Sequence, residues 1–265
     1  MGLASKLAAV SERPLRVMTF NIHHGEGTDG RLELARTAAL ISLWRPDVAG
    51  LQEVDRRFAA RSALADQASW LGRSLRMSAW YGPAMSVRDS GGMREYGNAL
   101  LTRDRLSARD WAPLPHAAGS EARSVVRGRH PLGVDIWATH FSHRDHGERV
   151  DQARAIIEAW QRNARPTVLL LDANAAPDDR PIDILGEAFI DVWGSLRPEP
   201  GWTFSTSNPN RRIDYVFCTQ EIRPVQVELA DAGVTSDHHA VVADLLVPPG
   251  ERSGKGTRRE TAGSP

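Results

Sequence analysis

Apolar residues recur along the chain at two spacings, and each spacing predicts a different element. Short runs that are continuously apolar or that alternate read as strands: "LRVMTF" at 15–20, "DVAGLQEV" at 47–54, "GVDIWATH" at 133–140, "TVLLLDAN" at 167–174, "RIDYVFC" at 212–218 and "HAVVADLLV" at 239–247. Between the first two, Leu34, Ala38 and Ile41 repeat at helical spacing up to a break at Pro46, which predicts a β-α-β opening. Val150, Ala153, Ile157 and Trp160 form a second helical stripe and predict a helix over 150–160. Strand and helix alternate at first and give way to strands and loops. No short repeat or low-complexity segment interrupts them before the tail. One layered α/β domain over residues 15–248 is therefore expected, behind a short lead at 1–14.

Composition narrows this picture. A chain of 265 residues with 41% apolar content can bury one full core. The end of the chain, "PPGERSGKGTRRETAGSP", offers no apolar anchor to offset its ordering entropy, which predicts a disordered tail at 249–265. Lys plus Arg and Asp plus Glu are balanced at 33 each, and the tail carries a small basic excess, so the body sits close to neutral. Such a body lacks the electrostatic footprint of a protein that grips long nucleic acid. Cys218 is the sole cysteine; it excludes an internal disulfide, reads as a small buried hydrophobe and fits a reducing compartment. The opening "MGLASKLAAVSERPLR" holds neither a secretory apolar run nor a membrane span, and the expectation is a soluble, cytoplasmic monomer without a transmembrane segment.

Polar residues on this skeleton collect at one place. Asn21, Glu53, His140, Asp172 and Asn174 each sit at or just past the C-terminal end of an apolar strand, the edge where open α/β sheets bind ligands. Asp214, Asp237 and His238 stand at the starts of their strands, and they reach the same rim if those strands run antiparallel to the others. Any one of these residues alone reads as a turn former or a solvated strand end; all of them on one rim read as a site. In "TSDHHAVVADL" strict alternation sends His238 and His239 to opposite faces, so at most one of them does chemistry there.

The chemistry that uses such a set is metal-assisted attack on a phosphoester. A hard cation such as Mg²⁺ takes carboxylate, amide and water oxygens, and Glu53 is the best single candidate to anchor it. An imidazole oriented by a carboxylate can take the proton of an attacking water, and Asp214 with His238 would serve. Asn174 and His140 are candidates to stabilise charge on phosphate oxygens. Arg123 is placed as a phosphate clamp and Tyr96 as a further contact to a phosphate oxygen. His23, His24, His143 and His146 flank these positions, but their spacings fit no standard zinc pattern. The eight tryptophans are scattered and read as packing, with Trp202 the one expected at the rim.

The segments "TFNIHHG", "LQEVD", "YGNALLTR", "ATHF", "LLLDANAAP", "RRIDYVF" and "SDHH" span about Arg16 to Leu246. In this order they resemble the endonuclease/exonuclease/phosphatase superfamily, which includes DNase I-like nucleases, sphingomyelinases and inositol phosphatases. The resemblance is nearest to bacterial metal-dependent hydrolases with an "NIHHG" opening, which are similar to the phosphodiesterase-like domain of proteins linked to glycolipid-anchor remodelling. It implies a four-layer α/β/β/α sandwich of two mixed β-sheets (DNase I-like). It also implies that Asn21 and Glu53 hold Mg²⁺, with Mn²⁺ as a substitute, that Asp214 orients His238 as the base, and that Asp237 is a metal-side or water-binding partner. Asp172 and Asn174 match the residues that position the nucleophile and contact the scissile phosphate, His140 the one that stabilises phosphoryl oxygens, and Asn98 a substrate-side position near the rim.

Two departures stand out. Leu171 occupies the place of a glycine and Ala173 that of an aromatic residue, while Phe141 replaces a leucine and reads as packing. The expected function is a Mg²⁺-dependent phosphoester hydrolase acting on a small or lipid-headgroup phosphodiester. The alternatives are a nuclease on DNA or RNA, and a non-catalytic binding module on the same fold, which loss of a metal or base position would favour; none is lost.

Overall fold

In the computed structural model, which describes residues 12–249, the apolar runs become twelve strands and the helical stripes become five helices among the described residues. In chain order these are β1 (Arg13–Asn21), α1 (Leu34–Trp44), β2 (Val48–Arg56), α2 (Gln67–Leu75), β3 (Ser78–Asp89), β4 (Gly92–Thr102), β5 (Ser107–Pro113), β6 (Ser124–Arg129) and β7 (Asp135–His140). Then follow α3 (His146–Gln161), β8 (Thr167–Asp172), α4 (Arg180–Gly186), β9 (Phe189–Asp191), α5 (Val192–Leu196), β10 (Asp214–Thr219), β11 (Arg223–Ala230) and β12 (Ala240–Val247).

They form two six-stranded sheets, β11-β12-β1-β2-β4-β3 and β5-β6-β7-β8-β10-β9. The β-α-β opening occurs as expected, with β1 parallel to β2, and it recurs in the second sheet, where β7 and β8 are parallel. The other named pairings are antiparallel, so both sheets are mixed.

Three apolar layers separate the elements. Val17, Val48 and Leu100 of one sheet meet Ile136, Leu170 and Val216 of the other. Ile41 of α1 and Leu71 of α2 close the outer face of the first sheet. Ile156 of α3 and Leu185 of α4 close that of the second. This is the four-layer α/β/β/α sandwich, and each fully buried aliphatic side chain in it contributes about 1.5–3 kcal/mol. The sheets approach most closely at Gly50, where an added Cβ would lie 2.7 Å from that of Leu170.

Local signals explain the ends of the elements. α1 stops at Trp44 because Arg45 turns left-handed (φ 50°) ahead of Pro46. α3 begins four residues before its predicted start, where the Asp145 carboxylate caps the Glu148 N–H at 2.8 Å. β1 begins at Arg13, paired with Val247 near the end of β12, so part of the expected lead belongs to the sheet. The rest of the lead, and the tail beyond Pro249, lie outside the described residues. Among the described residues no helix is long and apolar enough to cross a membrane.

Candidate active site

Strand direction assembles the site. β1, β2, β7 and β8 end on one rim. β10 runs antiparallel to β8 and β12 antiparallel to β1, so their starting residues arrive there too. The expectation for Asp214, Asp237 and His238 therefore holds. Asp214 lies directly opposite Asp172, and Asp172 opposite His140. A cleft of about 480 Å³ opens on this rim, and Glu53, Tyr96, Arg123, His140, Asp172, Asn174, Asp237 and His238 all line it.

One wall centres on a buried acid–base pair, with Asp214 Oδ1 left without a hydrogen-bond partner among the described residues. His238 Nδ1 donates to Asp214 Oδ2 at 2.9 Å, its backbone N–H donates to Ser236 Oγ, and the Phe204 ring packs on it with centroids 4.9 Å apart. Its other nitrogen, Nε2, stands 3.8 Å from Asp172 Oδ2. Burial works against the imidazolium, but the carboxylates of Asp214 and Asp172 hold His238 above the ordinary histidine range. Burial and the Asp214 charge push Asp172 up from its ordinary value. The neighbouring His239 points elsewhere: its Nδ1 accepts from the Ala232 N–H at 3.2 Å, and it lines a separate groove with Trp193 and the half-exposed Trp202. The alternation argument for the two histidines thus holds.

A second chain of contacts crosses the floor. Arg123 donates to His140 Nδ1 at 3.1 Å and to His143 Nδ1 at 3.0 Å. Burial and the Arg123 charge hold His140 well below the ordinary histidine range, so the ring is neutral. With Nδ1 occupied as an acceptor, its one proton sits on Nε2, facing Asp172 Oδ2 at 3.3 Å, while the Asn174 amide nitrogen, itself a donor, stands 2.9 Å from Nε2 and donates to the Phe141 carbonyl at 3.2 Å. Asn174 adopts a left-handed backbone (φ 49°), and its own N–H donates to Asp172 Oδ1 at 3.0 Å. Leu171 and Ala173, the two departures, are fully buried in the layer beneath α3 and α4, on the opposite side from Asp172. Phe141 is buried in that layer as well.

The opposite wall depends on a bulge. The β2–β4 register shifts between Leu51 and Val54, and Glu53 within it has φ 57°. The extra residue breaks the alternation and directs the Glu53 carboxylate into the cleft. Burial disfavours the charge, but its polar neighbours, the His24 side chain and the Asn21 amide, hold Glu53 well below the usual carboxylate range. The Asn21 amide nitrogen donates to Glu53 Oε1 at 3.1 Å and to Asp172 Oδ2 at 2.8 Å, linking the two sheets, and its oxygen accepts the His23 N–H at 3.0 Å. Asn21 thus positions two carboxylates, and its side-chain oxygen keeps a second lone pair that could serve as a ligand. Glu53 and Asp237 both line the cleft with carboxylates, a donor set that fits a hard divalent cation keeping several waters.

Two expectations are revised by the geometry. Asn98 is 2% exposed and does not line the cleft; its amide donates to the Ser124 carbonyl at 2.9 Å and ties β4 to β6 across the sandwich. His23 and His24 do group with an acid: one nitrogen of each and a Glu53 oxygen lie within 4.8 Å of one another. His146, by contrast, opens α3, and His143 meets Arg123. Sequence reasoning also missed Ser236, whose hydroxyl donates to the Asn21 carbonyl at 2.8 Å, and the cleft residues Phe58, Arg61, Glu121 and Phe204. A serine before an Asp-His pair is the one signal that could have found the first; the others stand outside every motif.

The fold is matched elsewhere. A search of curated proteins finds no match. Among solved structures, an endonuclease/exonuclease/phosphatase from Beutenbergia cavernae DSM 12333 superposes with a TM-score of 0.75 at 26% identity, over 89% of this chain and 72% of that one. The mannosyl-6-phosphatase Bt3783 of Bacteroides thetaiotaomicron VPI-5482 shares the fold at 17% identity and TM-score 0.68, over 88% and 99% of the two chains. The human Nocturnin catalytic domain, solved with a bound sulfate anion, shares it at 20% identity and TM-score 0.64, over 88% and 93%. Members of the superfamily to which these belong are hydrolases of phosphoesters that depend on divalent metal. The model of the Endonuclease/Exonuclease/phosphatase family matches residues 18–238, and the chain belongs to that family.

Proposed function

We propose that this protein is a Mg²⁺-dependent phosphoester hydrolase acting on a small or lipid-headgroup phosphodiester by direct attack of water. The observation that carries the reading is that Glu53 and His238, the latter bonded to Asp214 behind it, line one cleft of about 480 Å³. The two arginines lining that cleft are each already held by an acid, Arg61 by Asp55 at 2.9 Å and Arg123 by Glu121 at 2.8 Å.

The roles follow from atom positions. A cation held by Glu53 and Asp237 would supply charge to a phosphoryl oxygen and acidify a bound water. Asp214 fixes a His238 proton on Nδ1. The neighbouring carboxylates favour the imidazolium; with their charge offset by a cation in the cleft, Nε2, beside Asp172, would be free to take up the proton of the attacking water. His140 and Asn174 direct hydrogen-bond donors at the oxygens where charge develops, and Arg123 holds His140 in the donor tautomer. Tyr96 and Arg123 form the substrate-side wall. The mannosyl-6-phosphatase and the sulfate-bound Nocturnin domain support a tetrahedral oxyanion as the group recognised.

A polyanion binder would present unpaired cations along a groove, whereas these arginines are neutralised inside the site, which favours a compact substrate. The test is a turnover panel with Mg²⁺, Mn²⁺ or EDTA on bis-p-nitrophenyl phosphate, inositol phosphates, phospholipid headgroups and plasmid DNA. Chelator-sensitive turnover of small diesters is the expected result. Full activity in EDTA would remove the metal, and efficient plasmid cleavage without small-diester turnover would make the protein a nuclease.

A further inference from the structure

The geometry points to a second cation site, built from His23, His24 and the outer oxygen of Glu53, for a borderline metal such as Zn²⁺, Co²⁺ or Mn²⁺ beside the hard cation of the hydrolase site. One ring nitrogen from each histidine and one Glu53 oxygen lie within 4.8 Å of one another. His24 is nearly buried, with its side chain 8% exposed. Its Nδ1 has no hydrogen-bond partner among the described residues and faces Glu53 Oε2 at 4.0 Å. A buried imidazole nitrogen left without a partner costs about 1–3 kcal/mol, so an unpaired lone pair aimed at a carboxylate calls for an occupant between them.

The far sides of both rings carry the second observation. His23 Nδ1 lies 3.1 Å from the Glu26 carbonyl oxygen, which can only accept, so that nitrogen holds the proton and leaves the lone pair on Nε2. His24 Nε2 faces the Glu26 carboxylate at 3.4 Å, a contact that favours the proton on Nε2 and leaves Nδ1, the partnerless nitrogen, for a ligand bond. Metal-binding histidines are held in this way, each donating its remote N–H to a carbonyl or carboxylate that fixes tautomer and ring angle. One residue, Glu26, does this for both rings.

The backbone is shaped to bring the donors together. His23, His24 and Gly25 have consecutive φ values of 44°, 43° and 78°, and the two rings meet edge to face at 4.5 Å. Glu53, across from them, is also left-handed. Its two oxygens look in different directions, Oε1 to the Asn21 amide on the Asp172 side and Oε2 to His24. A carboxylate so placed bridges two cations, the arrangement in which paired metal ions stand about 3.5–4 Å apart. Two imidazoles and a carboxylate select a borderline cation over Mg²⁺, whereas Glu53 with Asp237 presents oxygen alone. The inference shares Glu53 with the hydrolase reading and rests on that reading only through it.

The test reads the metal and not the reaction. Metal-free, untagged full-length protein is titrated with Co²⁺ followed by visible absorption and with Zn²⁺ followed by calorimetry, and the zinc-loaded protein is measured by X-ray absorption. The wild type should take up one Zn²⁺ with imidazole nitrogen in its coordination shell. His23→Asn and His24→Asn keep a residue that tolerates the left-handed backbone, and each should weaken Zn²⁺ binding by roughly 10²-fold or more. Glu26→Gln, which loosens the rings without removing a ligand, should weaken it by roughly 10- to 100-fold. His143→Ala should leave zinc affinity unchanged. Circular dichroism in chelator confirms that each variant is folded. Equal zinc affinity in the wild type and the folded His23→Asn/His24→Asn double variant, or a shell without imidazole, overturns the site. An imidazole-bound zinc in a protein that turns over no phosphoester leaves the site standing and removes the hydrolase reading. Chelator-sensitive turnover with zinc binding indifferent to both histidines does the reverse.

Discussion

The two walls of the cleft are made differently. On the side of β10 and β12 the acid and base groups are buried and mutually paired: Asp214 is 1% exposed, His238 5%, and a 2.9 Å hydrogen bond joins them. On the side of β2 and the turn after β1, Glu53 and both histidines sit on left-handed backbone, and one ring nitrogen lacks a partner among the described residues. Strain held at a site persists only where the surrounding structure enforces it, and it marks the half whose groups are arranged for something other than one another. On the proposed function the first wall handles a proton and the second a cation.

Charge removal on the cation side should have the largest effect. Glu53→Gln keeps the shape of the side chain but removes the anchor of a weakly held dication, so turnover of bis-p-nitrophenyl phosphate should fall by orders of magnitude at ordinary Mg²⁺ and recover only partly in excess metal. Unchanged turnover in that variant would break the contrast between the walls.

On the proton side the effect should be smaller and non-additive. His238→Ala removes the base and Asp214→Asn disrupts its tautomer, each lowering kcat by roughly 10²-fold or more, with the double variant little worse than His238→Ala. Additive losses measured at saturating Mg²⁺ would show that the two residues do not act as one unit.

Asn98→Ala tests a residue that lies in neither wall. It removes a donor from the Ser124 carbonyl between the sheets, which should lower stability by about 1 kcal/mol in thermal melts and leave KM unchanged. A raised KM with an unchanged Tm would return Asn98 to the substrate.

The smallest effects should come from salt and from His239. Turnover of small diesters should change little between low and high ionic strength, because the cleft arginines are internally paired. His239→Ala, facing the other groove, should alter stability more than kcat; loss of turnover there would mean that the wrong histidine of the pair has been assigned to the cleft.

What could be read from the sequence follows from burial. Strands with deeply buried residues, such as β8, buried from Thr167 to Asp172, announce themselves as apolar runs, and their ends locate the rim. β5 is exposed along nearly its whole length, and β11 is an edge strand with a proline, so neither carries a pattern to read. The same contrast divides the site. Asp214, Asp172 and His140 stand at the ends of legible strands and His238 just ahead of one, whereas Arg61, in a one-turn 3-10 helix at Ala60–Ser62, and Phe204, outside every strand and helix, reach the cleft only through tertiary placement. The grouping of His23 and His24 with Glu53 escaped a spacing argument because its third donor comes from another strand and enters through a bulge.

The Asn21 amide that joins Glu53 to Asp172 sets a schedule for the molecule. It connects groups 151 positions apart, and the Ser236 hydroxyl that accompanies it reaches Asn21 across 215. During synthesis the first strand emerges long before the segment ahead of the last, which supplies both Ser236 and His238, and contacts of such separation are the slowest to form. A chain that has formed its helices and each sheet but not docked the sheets holds every side chain of the rim and no cleft. On the proposed function, recovery of activity would report the final step of assembly, the closing of one sheet on the other.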